Sequence, residues 1–253
     1  MRYEDILKKF TASISRLSDR KDLRDNFHDF LNFQMFFFCQ NPSEKQIEWF
    51  NCELPKAEIY KEAMLLLGDG SENFRDILGE FFMLNVTMGR NGQYFTPEIV
   101  CNLMALVTGG SDERASVDDC CCGSGRMLLA HAANCKNPHN TTYYANDIDI
   151  ICVKMCLINL LLNSLTGVVT CGNGLIPIWV EGRETFILSL KRVDLGGKFM
   201  FYPQYRYYTS EESKLLFVAP NPTNVENNSP TSEQLEFTKL VEPIGKGEQL
   251  SLF

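Results

Sequence analysis

Apolar residues recur every three or four positions through the first third of the chain. Ile6, Phe10, Ile14 and Leu17 fall on one helical face, and Phe27, Phe30, Leu31 and Gln34 continue a similar pattern. Ser71 is a candidate cap for a further helix whose apolar face holds Phe74, Ile77, Leu78, Phe81 and Phe82. Residues 1–88 are therefore expected to form an all-α N-terminal region. Its phenylalanines are read as core or inter-domain packing, with a groove for a partner helix as the alternative.

After the Gly89–Gly92 loop the period changes. Thr96-Pro97-Glu98 has the form of a helix start, with Thr as cap and Pro in the first turn. The helix Ile99–Val107 would end at Gly109-Gly110. The pattern then predicts a strand at 115–119, a helix at 125–136, a strand at 142–146, a helix at 150–165 and a strand at 168–171. Strands alternating with helices at this spacing imply βαβ units, a parallel sheet and an α/β domain over 89–218. Ligands of such sheets sit at the carboxyl ends of the strands. All three ends carry polar residues here: Asp119, Asp147 with Asp149, and Asn173.

Beyond Leu175 the alternation fails. Thr185–Leu190 and Lys198–Tyr202 read as strands joined near Gly196-Gly197, and Leu215–Val218 as a further strand. From Ala219 the chain turns to Pro, Asn, Ser and Thr, so 219–253 is expected to be a flexible tail. The aromatic run Tyr202 to Tyr208, interrupted by Arg206, suits an exposed hairpin or packing surface; stacking of nucleobases is the alternative.

Composition narrows the class. The 253 residues are 45% hydrophobic and 22% charged, as in soluble globular proteins. No apolar run reaches spanning length, and Met1–Phe10 lacks the features of a signal peptide, so a cytoplasmic location is expected. Ten cysteines, three of them consecutive at 120–122 and others inside apolar stretches, read as small hydrophobes in a reducing compartment. His131, Cys135 and His139 share a four-residue spacing, but no C-x-x-C pair accompanies them and Asn137-Pro138 interrupts the helix; no metal site is expected. A net charge of −8 and a pI of about 5.0 disfavour tight, unaided binding of duplex DNA.

The most informative stretch is Val117 to Leu128. An apolar run meets two acids and then Gly123-Ser124-Gly125 at the start of a helical pattern. Glycines let a ligand approach the backbone, and the free N–H groups of a first helical turn favour a polar or anionic group. Three further segments accompany it: Gly92-Gln93-Tyr94-Phe95-Thr96-Pro97, Asn146-Asp147-Ile148-Asp149, and Cys171-Gly172-Asn173-Gly174-Leu175. In order and spacing these four motifs resemble adenine-specific (N6) DNA methyltransferases, above all the modification subunits of type I restriction systems. The resemblance covers about residues 89–175.

The resemblance implies a Rossmann-like methyltransferase fold that binds S-adenosylmethionine. The turn of Cys122, Gly123, Ser124 and Gly125 would meet the methionine moiety, with Asp119 facing its ammonium group. Asp147 would accept from the ribose hydroxyls, Ile148 would pack on adenine and Asn173 would bond its edge. Tyr94, Phe95 and Thr96 would cover the methionine end. Two departures stand out: Cys120 replaces the usual Pro after the first acid, and Arg126 follows Gly125.

The family activates the exocyclic amine of adenine with Asn-Pro-Pro-aromatic, and this sequence contains no Asn-Pro-Pro. Asn221-Pro222-Thr223 is the nearest remnant, which leaves Asn221 as the candidate catalytic residue and a turn as its ordinary reading. Only about thirty residues follow it, too few for the rest of the family's sheet and a target-recognition domain. The implied activity is therefore either adenine methylation of DNA with help from another subunit, or a degenerate binding module. Finally, Gln249, Leu250, Leu252 and Phe253 belong to a terminal Gln-Leu-Ser-Leu-Phe that resembles the pentapeptide bound by the bacterial sliding clamp.

Overall fold

The computed structural model describes residues 2–87, 94–108, 115–194 and 199–216. Five helices open the chain: α1 (Tyr3–Ser15), α2 (Leu23–Phe38), α3 (Glu44–Glu53), α4 (Ala57–Gly70) and α5 (Ile77–Phe82). Their starts follow local chemistry. Asp22 accepts from the backbone of Asp25 at 2.8 Å, and Ser43 and Gln46 form a reciprocal capping box. Ser71 does not cap the long helix its sequence context suggests; it closes α4, its N–H reaching Leu67 O at 2.9 Å. It precedes only a 3-10 turn, Glu72–Phe74, that its side chain does not cap. Asn73 and Phe74 then take left-handed φ of 58° and 61°, which breaks the helical path. Asp76 becomes the cap of α5, accepting from Gly79 N at 2.8 Å.

The helices are held by aromatic packing. Phe10, Phe27, Phe30 and Phe81 are fully buried, and the Phe10 ring meets Phe30 and Phe81 edge-on, each at 5.3 Å. This core runs on without a break through Leu157 and Ile158 to Val169, Phe186 and Leu188.

The second part is α6 (Glu98–Thr108), β1 (Ala115–Asp119), α7 (Arg126–Asn134), β2 (Thr141–Asp147), α8 (Ile150–Leu162) and β3 (Thr166–Cys171). A short helix α9 (Ile178–Glu181), the strands β4 (Glu184–Asp194) and β5 (Phe199–Tyr208), and α10 (Ser210–Leu216) follow. The sheet has the order β1-β2-β3-β4-β5. Its first three strands are parallel and its last two antiparallel, so the sheet is mixed rather than parallel throughout. The architecture is a Rossmann-like α/β sheet preceded by an all-α region.

The hairpin is longer than the sequence pattern suggests because pairing continues from Thr185↔Tyr208 to Asp194↔Phe199. Pro203 is tolerated within it because β5 is an edge strand. The strand expected at Leu215–Val218 is not formed over its described half. Leu215 and Leu216 are helical, since Thr209 and Glu212 cap α10 reciprocally at 2.7 and 3.3 Å. Phe217, Val218, Gly89–Gly92, Gln93, Gly109-Gly110, Gly196-Gly197 and the tail from 219 lie outside the described residues. Among the described residues no helix is long and apolar enough to cross a membrane.

Candidate functional site

β1 ends at Asp119, and the chain turns through 120–125 into α7. Two conditions make glycine necessary in this turn. Gly123 and Gly125 hold left-handed φ of 52° and 82°. A Cβ on Gly125 would lie 2.8 Å from Cys156 Sγ, and one on Gly123 would lie 3.0 Å from the Phe95 ring. Phe95 itself stacks on Phe82 at 5.8 Å, so the N-terminal helices set the ring that covers the turn. Cys122 is buried, and its N–H donates to Asn146 O at 2.9 Å, tying the turn to β2.

The acids gather at the same rim. Asp147, ending β2, accepts from Gly123 N through Oδ2 at 2.9 Å and from Asp149 N through Oδ1 at 2.9 Å. Each oxygen keeps a further lone pair for a ligand. Asp119 accepts from Cys121 N at 3.2 Å. Burial pushes the Asp119 carboxyl above the usual carboxylate range against that bond, and the charges of Asp118 and Asp147 add to the shift. Ile148, just past β2, and Leu175, just past β3, are 76% and 93% exposed.

Below the turn lies a polar network. Asp76 accepts from Ser124 Oγ at 2.5 Å, Arg126 Nε at 2.9 Å and Asn159 Nδ2 at 2.9 Å. Asn159 also donates to Ser124 O at 2.9 Å. Burial alone would lower the Arg126 pKa, but the Asp76 carboxylate outweighs it and holds the guanidinium above its ordinary value. A second network joins the strand ends. Asn146 donates to Cys120 O and Gly172 O at 3.3 and 3.1 Å and accepts from Arg183 at 3.1 Å.

The structure thus brings Phe95, Asp119, Cys122, Gly123, Ser124, Gly125 and Asp147 to one rim. Tyr94 and Thr96 are exposed there, and Thr96 O accepts from Arg126 at 3.4 Å. Asn173 is partly committed already: its Oδ1 accepts from Leu175 N at 3.0 Å, which leaves its Nδ2 donor for a ligand. Asn221, Gln249, Leu250, Leu252 and Phe253 lie outside the described residues. His131 is buried beside Tyr143, while His139 Nδ1 lies 3.2 Å from Ser164 O.

Asp76, Asn146, Asn159 and Arg183 were not legible as site residues. Asn159 did carry a signal, being the single polar position within Leu157-Ile158-Asn159-Leu160-Leu161-Leu162. A fully buried amide in such a run needs partners, and its Nδ2 finds them in the turn and its anchor, while its Oδ1 has none among the described residues.

Residues 73–176 match the family model of the N-6 DNA Methylases. This segment belongs to that family. Among solved structures the chain is similar to the methyltransferase subunit of a type I restriction-modification system from Streptococcus thermophilus, at 20% identity and a TM-score of 0.40. That likeness covers 67% of this chain, which spans only 40% of the subunit's length. It is also similar to a protein from Listeria monocytogenes classed with the class I S-adenosylmethionine-dependent methyltransferases, at 10% identity and a TM-score of 0.46. There the likeness covers 94% of this chain and 77% of the other. No curated protein matches the chain.

Proposed function

We propose that the chain is a DNA adenine-N6 methyltransferase-like protein that binds S-adenosylmethionine at the strand ends and reaches DNA with another subunit, within a restriction-modification or mobile-element system. The observation that carries this reading is the bond from Gly123 N to Asp147 Oδ2, which joins the glycine turn to the acid of the second strand. The residues fit the cofactor. Asp147 retains acceptor capacity for two ribose hydroxyls, and Asp119 offers a carboxylate to the ammonium group. Tyr94, Phe95 and Thr96 flank the methionine end, while Ile148 and the Asn173 amide suit the adenine face and edge. When bound, the cofactor supplies an electrophilic methyl group; this chain's part is to hold and orient it.

Titration calorimetry with S-adenosylmethionine tests the reading. Heat of binding in the parent chain that is lost in Asp147→Asn supports it, and no heat at millimolar cofactor refutes it. A second reading, a degenerate methyltransferase-fold module acting through partners, is favoured by the lack of Asn-Pro-Pro in the sequence. Transfer of labelled methyl to DNA, measured with and without a candidate second subunit, separates the two. Transfer that is lost on Asn221→Ala would assign that residue to the acceptor site. We also propose that Gln249, Leu250, Leu252 and Phe253 engage a sliding clamp; capture unchanged after deleting 249–253 removes that proposal.

A further inference from the structure

A cavity of about 480 Å³ lies between α2, α3, α8 and the hairpin β4–β5. It shares no lining residue with the strand-end site and is within the size range of small-molecule pockets. Its walls are aromatic, with Phe36, Trp49, Phe186 and Tyr207 facing the space, and two of its polar groups are Lys154 and Glu184. Lys154 donates to His28 Nε2 at 2.8 Å and Asn32 Oδ1 at 2.6 Å, both neutral acceptors, so one of its three protons is unspent. It makes no ion pair among the described residues, and the Glu184 carboxylate accepts no side-chain hydrogen bond from them. Burial pushes the Lys154 pKa down to about 8, despite the attraction of Glu184.

A half-buried amine and a half-buried carboxylate lining one cavity without full partners keep hydrogen-bonding capacity for an occupant. The occupant must be flat enough for aromatic walls. It must also offer an acceptor to Lys154 and a donor to Glu184. A ring nitrogen beside an exocyclic amine meets all three conditions. We infer that this cavity binds an amino-bearing nucleobase of the adenine type, carried by a free nucleoside or by a single strand, with Lys154 donating to a ring nitrogen and Glu184 accepting from the amine. The inference does not depend on the cofactor reading of the strand ends.

Trp49 supplies the probe. The chain has two tryptophans, so Trp179→Phe leaves Trp49 as the sole reporter. Adenosine should quench it saturably, and purine riboside, which lacks the amine, should bind about tenfold or more weakly. Glu184→Gln should shrink that preference, and Lys154→Met should weaken both ligands about tenfold or more, with folding checked by circular dichroism. Asp147→Asn should leave the quenching unchanged, which excludes adenosine bound at the strand ends. A short single-stranded oligoadenylate in place of adenosine distinguishes the two sources, and binding of either supports the proposal. It is overturned if neither ligand quenches at millimolar concentration, or if phenylalanine alone does. It is equally overturned if Asp147→Asn abolishes the signal while Lys154→Met and Glu184→Gln retain it.

Discussion

Two charged groups, Asp76 packed against α8 and Lys154 borne on it, are treated in opposite ways, Asp76 buried and Lys154 half-buried. Asp76 is met from every direction, by Arg126, Ser124, Asn159 and the backbone of Gly79. Among the described residues Lys154 is hydrogen-bonded by the neutral side chains of His28 and Asn32 alone. The first arrangement suits a structural anchor: the carboxylate reaches from the N-terminal helices to the glycine turn and holds it from below. The second leaves chemistry unspent beside an open space. Burial by itself therefore says little about purpose, and the completeness of the partners says much more.

Removing the anchor should have the largest effect. Asp76→Ala would strand Arg126, Ser124 and Asn159 in the interior and cost about 3–5 kcal/mol by denaturant unfolding. A loss below about 1 kcal/mol would show that the network does not hold the turn. The opposite sign is expected at Lys154. Folded Lys154 releases its proton near pH 8, against 10.5 for the ordinary side chain. Between those values the unfolded chain binds more protons, so stability rises with pH there, and the cost is fully present below pH 8. Lys154→Met should then stabilise the protein by up to ~3 kcal/mol at pH 7, with the gain vanishing above pH 10.5. Lys154 also helps to hold down the pKa values of His28 and Cys171, so the difference between the two stability–pH curves carries their release together with the loss of Lys154.

Smaller effects sharpen the picture at the turn. Gly125→Ala places a Cβ against Cys156 in a left-handed backbone and should cost about 2 kcal/mol. Asp147→Asn should cost only about 1 kcal/mol in stability, since its neighbours are backbone groups near the surface. Its effect belongs to binding, where about thirtyfold of S-adenosylmethionine affinity should be lost.

How much of this was legible in the sequence follows from the range of the forces involved. Local signals placed β1 at Ala115–Asp119 to the residue and located α6, α7, α8 and the glycine turn, because periodicity and turn chemistry act over a few residues. Asp119 and Asp147 could be found from their places at strand ends. Asp76 could not be assigned to the turn, since its contact with Ser124 crosses 48 positions and depends on how α5 packs against α8. Ser71 was misread for a related reason: the left-handed pair Asn73-Phe74 moved the helix start to Asp76. Leu215 and Leu216 read as strand from their apolar run, but the reciprocal cap of Thr209 and Glu212 made them helical. The cavity at Lys154 had no sequence signature at all, because its walls come from four separated elements.

The central claim is that the glycine turn, fixed from below by Asp76 and joined to Asp147 from above, is a prepared site for S-adenosylmethionine. Calorimetric titration of the full chain, beside Asp147→Asn, tests it most directly. The account predicts one-to-one binding in the parent chain and affinity about thirtyfold weaker in the variant, with folding intact. Equal affinity in the two proteins, or no binding in either at millimolar cofactor, would contradict it.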